Sequence, residues 1–123
     1  MYISIDGDDI GRKLAQCFLT NDEVKLKETS EVLDHVTNQI AELLTQHGFE
    51  IVFCAADGIT AKNDQPIDFE QLFAQIRELA PNSLSYSAGV GDTLHESFVA
   101  LLSSKCSGKN KLTKHTAIPN NNE

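Results

Sequence analysis

Four aspartates and two lysines carry most of the chemistry this sequence can offer. Asp6, Asp8 and Asp9 lie within one acidic turn, Asp6-Gly7-Asp8-Asp9, directly after a short apolar run. Carboxylates held so close raise one another's pKa unless a cation or solvent takes up the field. Asp57 sits in Ala55-Ala56-Asp57-Gly58 between two further apolar runs, and Lys105 and Lys109 follow the last helical pattern. If Asp6 and Asp57 end adjacent strands, they present hard oxygen ligands to one or two divalent cations. Magnesium is typically held by one or two carboxylates, waters and substrate phosphates. Two such ions about 4 Å apart clamp the attacking and leaving oxygens of an in-line phosphoryl displacement. Gly7 lacks a side chain, so its carbonyl can approach a metal closely. Asp8 and Asp9 are weaker ligand candidates, and Asp9 is expected to cap the following helix instead.

The lysines offer the complementary charge. Lys105 lies four residues after Leu101 and seven after Phe98, on the apolar stripe of the last helix. It either snorkels past the core edge or aims at an anion above the sheet. Lys109 lies one turn further on if the helix continues, and together they suit a polyphosphate tail. The competing structural reading is a solvated basic helix end matched to the macrodipole. This is not a P-loop, because the required glycine position is Ser103. The four histidines are isolated, no Ser-His-Asp or Cys-His grouping appears, and no side chain stands out as a general base.

Positioning these groups falls to a mixed α and β chain. Residues 2–5 alternate as a strand, and Ile10, Leu14, Cys17 and Phe18 recur at helical spacing. A long amphipathic helix is predicted over 23–47 from the stripe Val32, Leu33, Val36, Ile40, Leu43 and Leu44, with Gly48 as its stop. Asn21 and Asp22, in the break between the two helices, suit either a helix cap or a contact to a nucleobase. Residues 50–54 form a nearly continuous apolar run, predicting a central strand buried on both faces. Asp57-Gly58 then turns the chain into an antiparallel return over 59–62. Phe69, Leu72, Phe73, Ile76 and Leu79 mark a third helical face. A strand over 84–90 precedes a helix over 93–104, where Thr93 and Glu96 have the spacing of a capping box. Collapsing the two helices after the first strand gives βαββαβ, an α+β ferredoxin-like arrangement of one antiparallel sheet covered by helices on one face. In it the first strand lies beside the first strand of the hairpin, which puts Asp6 next to Asp57. One domain over 1–115 is expected, with a frayed tail over 116–123.

Composition excludes several classes. Hydrophobic residues are 41% and charged residues 23%, the balance of a globular domain. No apolar run approaches the ~20 residues of a membrane span, and no signal pattern opens the sequence, so no membrane contact and a cytoplasmic location are expected. The net charge is −8 with a pI near 4.8. That makes long nucleic acid a poor partner, because phosphate contacts supply most non-specific affinity. Cys17, Cys54 and Cys106 are far apart and read as reduced, mostly buried thiols.

Taken together, four stretches resemble the minimal CRISPR polymerases in content and order. They are Ile3-Ser4-Ile5-Asp6-Gly7-Asp8-Asp9-Ile10-Gly11, Phe53-Cys54-Ala55-Ala56-Asp57-Gly58-Ile59, Ser87-Ala88-Gly89-Val90-Gly91-Asp92-Thr93-Leu94 and Lys105-Cys106-Ser107-Gly108-Lys109-Asn110. These standalone palm domains are similar to the cyclase domain of the type III CRISPR signal synthetase, to GGDEF diguanylate cyclases and to archaeal GTP cyclohydrolase III. The resemblance implies a palm fold, two magnesium or manganese ions per site, nucleoside triphosphate substrates, a cyclic nucleotide product, a role in antiphage defence and a separate effector that reads the signal. It implies Asp6 and Asp57 as the catalytic, metal-binding aspartates and the Gly7 carbonyl as a backbone ligand. Lys105 and Lys109 would hold the triphosphate, with Asp8 and Asn110 as further contacts. Relatives usually show Gly-Gly-Asp-Asp or Gly-Gly-Asp-Glu at the hairpin. Here the third-position acid survives as Asp57, and the fourth is Gly58.

The reaction expected is attack of a ribose hydroxyl on an α-phosphorus, ATP being the expected substrate, with loss of pyrophosphate. Cyclisation needs two nucleotides facing each other, which predicts a homodimer with opposed sites. The alternatives are a hydrolase that opens the guanine ring of GTP, and a degenerate palm that binds nucleotide as a sensor.

Overall fold

The computed structural model describes residues 1–116. The expectation for the tail therefore lies almost wholly outside the described residues. The element order is β1 (Tyr2–Gly7), α1 (Ile10–Leu19), α2 (Glu23–Gln46), β2 (Glu50–Ala55), β3 (Gly58–Lys62), α3 (Phe69–Leu79), β4 (Tyr86–Gly91), α4 (Leu94–Cys106) and β5 (Leu112–Lys114). The strands form one sheet in the order β2-β3-β1-β4-β5. β1 is central, antiparallel to β3 and to β4, and β5 adds to β4 in parallel.

Alternation along β1 decides what each face of the sheet does. Ile3 and Ile5 point into the core and pack in one cluster with Ile40 and Leu44 of α2 and with Leu72 and Ile76 of α3. Burying each such side chain is worth about 1.5–3 kcal/mol. Ser4 and Asp6 point the other way, where Ser4 Oγ lies 2.9 Å from Ser97 Oγ of α4. Local signals hold the helices as the sequence predicts. Gly48 closes α2 at φ 87°. Asp68 caps α3 through Gln71 N, and Thr93 caps α4 through Glu96 N. Among the described residues, no helix is long and apolar enough to cross a membrane.

The α+β palm is as expected, but three details of the sequence reading are corrected. First, helices cover both faces, because α4 lies across the face opposite α2 and α3. Ser104 Oγ donates to the Ala88 carbonyl at 2.8 Å. A Cβ on Gly89 would sit 2.1 Å from Leu101 N and 2.3 Å from the Ser97 carbonyl. Gly89→Ala is therefore expected to destabilise the fold by about 3 kcal/mol or more, since backbone cannot move aside as a side chain can; urea denaturation measures it. Second, β1 pairs with the second strand of the hairpin, not the first. β2 is the sheet edge, with Val52 48% and Phe53 56% exposed. The apolar run that suggests a central strand contains a register shift between Ile51 and Phe53 and faces solvent. Third, only Cys17 is buried; Cys54 lies on the edge strand, and Cys106 on the open side of α4. The basic stretch after α4 runs into β5, a strand the sequence reading does not assign.

Candidate active centre

Asp6 and Asp57 are brought together, although by a different strand pairing than expected. Asp57 stands in the turn just before Gly58, and Gly58 is the register partner of Asp6. Gly7 N donates to the Asp57 carbonyl at 3.2 Å, fixing the turn against the end of β1. Gly7 is needed here for close approach. A Cβ on it would lie 2.7 Å from Ile10 Cγ1 and 3.2 Å from both Cβ and Oδ2 of Asp57. The Asp6 side chain is 41% exposed. Burial, and then the negative charge of Asp57, push its carboxyl up to about 6, while Lys105 pulls it down. A carboxylate pair under such repulsion, open on one side, favours a bound cation.

The other two acids do different work. Asp8 is 3% exposed and accepts four hydrogen bonds. Its Oδ1 takes Ser87 Oγ at 2.7 Å and Lys105 Nζ at 2.8 Å; its Oδ2 takes Ser85 Oγ at 2.7 Å and Asn110 N at 3.0 Å. Burial raises the Asp8 pKa, but these donors outweigh it and the carboxyl is held below its usual value. With its lone pairs used, Asp8 ties the turn after α4 to the end of β1. Asp9 corrects the sequence reading. It occupies the N-cap position of α1 with φ 58° and no capping hydrogen bond, because its carboxylate pairs with Lys109.

Lys105 does rise above the sheet toward oxygen atoms, but they belong to the protein. Its Nζ donates to the carbonyls of Asp6 at 3.2 Å and Gly7 at 2.7 Å, and lies 3.4 Å from Asp6 Oδ2. The Gly7 carbonyl expected to face a metal thus faces the ammonium. Asn110 contributes its backbone: its N–H serves Asp8 and Ser87, and its carbonyl accepts from Arg77 Nη2 at 2.5 Å. Sequence reasoning missed Ser85, Ser87 and Arg77. The alternation Ser83-Leu84-Ser85-Tyr86-Ser87 was a usable signal for the serines, since polar side chains at period two on a central strand need partners. Arg77, stacked 4.7 Å from the Phe73 ring centroid, offered none.

Backbone strain gathers around the same point. Of the five non-glycine residues at positive φ among the described residues, Asp9, Ala56, Lys109 and Asn110 lie in the turns that converge on Asp6 and Asp57. Such residues cluster at functional sites. Ala56 has φ 51° where a glycine is free of strain. Ala56→Gly is expected to stabilise the protein by about 1 kcal/mol, read from the shift in denaturation midpoint.

Asp6 and Asp57 suit a hard divalent cation: both are oxygen donors, adjacent, mutually repelling and partly open. Among the described residues no cluster of three or more acidic, histidine or cysteine side chains is placed to hold a metal. A cleft of about 490 Å³ runs between α1, α2 and residues Ser83 and Leu84, lined by Arg12, Lys13, Lys25, Glu28 and Val32 among others. Asp22, considered above for base contact, instead caps α2 through Lys25 N at 3.0 Å.

The chain has counterparts. Over 95% of its length it superposes on the active GGEEF domain of a diguanylate cyclase from Vibrio cholerae, with a TM-score of 0.68, 18% identity and 83% of that chain covered. At that identity the match establishes a shared fold. No curated protein sequence matches. The minimal CRISPR polymerase domain, by contrast, matches residues 2–115. That span contains Asp6, Asp57, Lys105 and Lys109, and the chain belongs to the minimal CRISPR polymerase family, palm domains of nucleotide cyclase and polymerase type.

Proposed function

We propose that this protein is a metal-dependent nucleotidyltransferase that condenses nucleoside triphosphates, with ATP the expected substrate, into a cyclic di- or oligonucleotide. The observation that carries this reading is the pairing of Asp6 and Asp57 at the end of the central strand, in a chain of this family. A ribose hydroxyl attacks the α-phosphorus, the bond to the β-phosphate oxygen breaks, and pyrophosphate leaves with that electron pair while the hydroxyl proton passes to solvent. Asp6 and Asp57 would hold a magnesium or manganese ion, which when bound would supply Lewis acidity to lower the hydroxyl pKa and offset charge on the phosphates. The chain's own residues position: Asp8 fixes Lys105 and Asn110, and the cleft between α1 and α2 lies within the size range of small-molecule sites and suits the nucleoside. The product would serve as a signal in antiphage defence, read by a separate effector. Pyrophosphate release from each nucleoside triphosphate, with and without magnesium, tests the reaction.

Cyclisation calls for a second copy, and one surface favours it. At 3.6 residues per turn, Leu94, Phe98 and Leu102 share the flank of α4 that carries Lys105. They are 51%, 55% and 46% exposed. Lys105 reaches the end of β1 from this flank, so a copy docked here closes over the centre. Phe98→Glu is expected to convert a dimer to a monomer in analytical ultracentrifugation and to abolish cyclisation, leaving the fold intact by circular dichroism.

A second reading has one observation in its favour. Gly58 stands where a further acid would complete the hairpin motif, which suits a palm that binds nucleotide as a sensor. Nucleotide-dependent thermal stabilisation without pyrophosphate release would identify that case.

A further inference from the structure

Three features of the centre bear on how many metal ions it accepts. The first is donor supply. Asp8 is saturated by two serine hydroxyls, one backbone N–H and Lys105, and Asp9 is engaged by Lys109. That leaves Asp6 and Asp57 as the open carboxylates. The second is charge. Four carboxylates, Asp6, Asp8, Asp9 and Asp57, meet two ammonium groups, Lys105 and Lys109, so the protein's own groups at the centre carry two net negative charges, enough to match one divalent ion before substrate phosphates add theirs. The third is occupancy. The Lys105 ammonium sits among Asp6 O at 3.2 Å, Gly7 O at 2.7 Å, Asp8 Oδ1 at 2.8 Å and Asp6 Oδ2 at 3.4 Å. These are the hard oxygen donors a second cation would draw on, since the backbone carbonyl and a second face of Asp6 are both in the set. Withdrawing Lys105 from them would leave Asp8 buried without its counter-ion, which is unfavourable.

We infer that this centre binds a single divalent ion, on Asp6 and Asp57, because the Lys105 ammonium holds the oxygens a second ion would draw on and no further open carboxylate among the described residues is present there to compete for that ion. The inference rests on the nucleotidyltransferase reading. It replaces the two ions implied by the family resemblance with one ion and one lysine. Gly58 provides the means of testing it. A Cβ there meets Asp6 Oδ1 at 3.5 Å, Ala55 O at 3.7 Å and Phe53 Cε1 at 3.8 Å, all ordinary contacts. Gly58→Asp therefore adds a carboxylate beside Asp6 without a clash.

The experiment titrates manganese into the intact protein together with ATP in which a methylene replaces the α,β-bridging oxygen, and counts tightly bound ions per bound nucleotide by electron paramagnetic resonance. Wild type should bind one, Asp57→Ala none, and Gly58→Asp two, each variant first checked for fold by circular dichroism. Two ions in wild type would overturn the inference while leaving the nucleotidyltransferase reading standing. A single ion in Gly58→Asp, with that variant folded and binding nucleotide, would show that donor supply does not set the count and would also overturn it. Nucleotide bound with no ion, or no nucleotide bound at all, would overturn the functional reading and this inference with it.

Discussion

Asp6→Asn should abolish metal-dependent nucleotidyl transfer, by about a thousandfold or more, and at the same time stabilise the metal-free fold at neutral pH. The first effect follows from removing one of two open carboxylates, since Lewis-acid stabilisation of a phosphoryl transition state is worth several kcal/mol. The second follows from electrostatics. The Asp6 carboxyl is raised from 3.8 to about 6 by burial and by Asp57, so the folded state holds its proton more tightly than the unfolded state does. Stability associated with that proton is present below pH 3.8 and is lost as pH rises through about 6. Because the side chain is 41% exposed, solvent screening reduces the penalty at pH 7 to about 1 kcal/mol. Asparagine removes the charge and with it the penalty. Urea denaturation of both proteins, free of metal, should show the variant more stable at pH 7.5 and the gap closing toward pH 4. Equal stability of the two proteins across that range would contradict the account of Asp6.

Among the acids of the centre, the largest effect on the fold should come from Asp8→Ala, at about 3 kcal/mol of destabilisation. The substitution removes an acceptor shared by four donors, and Lys105 loses its buried counter-ion. Asp9→Ala breaks a pair near the surface and should barely register in the same denaturation assay. The contrast separates two aspartates that adjoin in sequence and look interchangeable there. Because the Asp8 carboxyl is held below its usual value, its contribution persists above pH 3.8 and is lost only on further acidification. Activity in Asp8→Ala should fall as well, since the turn carrying Lys105 and Asn110 would lose its anchor to β1.

Much of this was legible in the residues. The alternation of Ile3, Ser4, Ile5 and Asp6 specifies a strand with one apolar face and delivers Asp6 to the other. The helical stripes of α2 and α3, the Gly48 stop and the Thr93 cap all read directly, because periodicity and capping are local properties. Strand neighbours are not local. The run Ile51-Val52-Phe53-Cys54 looks central by composition, and only pairing of β3 with β1 sends it to the edge. The placement of α4 had a signal that went unread: Gly89 and Gly91, two apart on β4, clear one face for a helix to lie on backbone. At the centre, residue types pointed to Asp6, Asp57, Lys105 and Lys109, and the fold assembles all four. Types alone could not divide the labour among Asp6, Asp8 and Asp9. That division depends on Ser85, Ser87 and Asn110, which arrive from the far half of the chain.

The central claim is that Asp6 and Asp57 form a centre for joining nucleotides. Mass spectrometry of the products formed by purified protein from ATP and magnesium, run beside Asp6→Asn, tests it most directly. The predicted result is a cyclic nucleotide whose mass corresponds to ATP less pyrophosphate for every unit joined, made by wild type and absent with the variant. An unchanged nucleotide pool in the wild-type reaction, across all four nucleoside triphosphates, or the same cyclic product from Asp6→Asn, would contradict it.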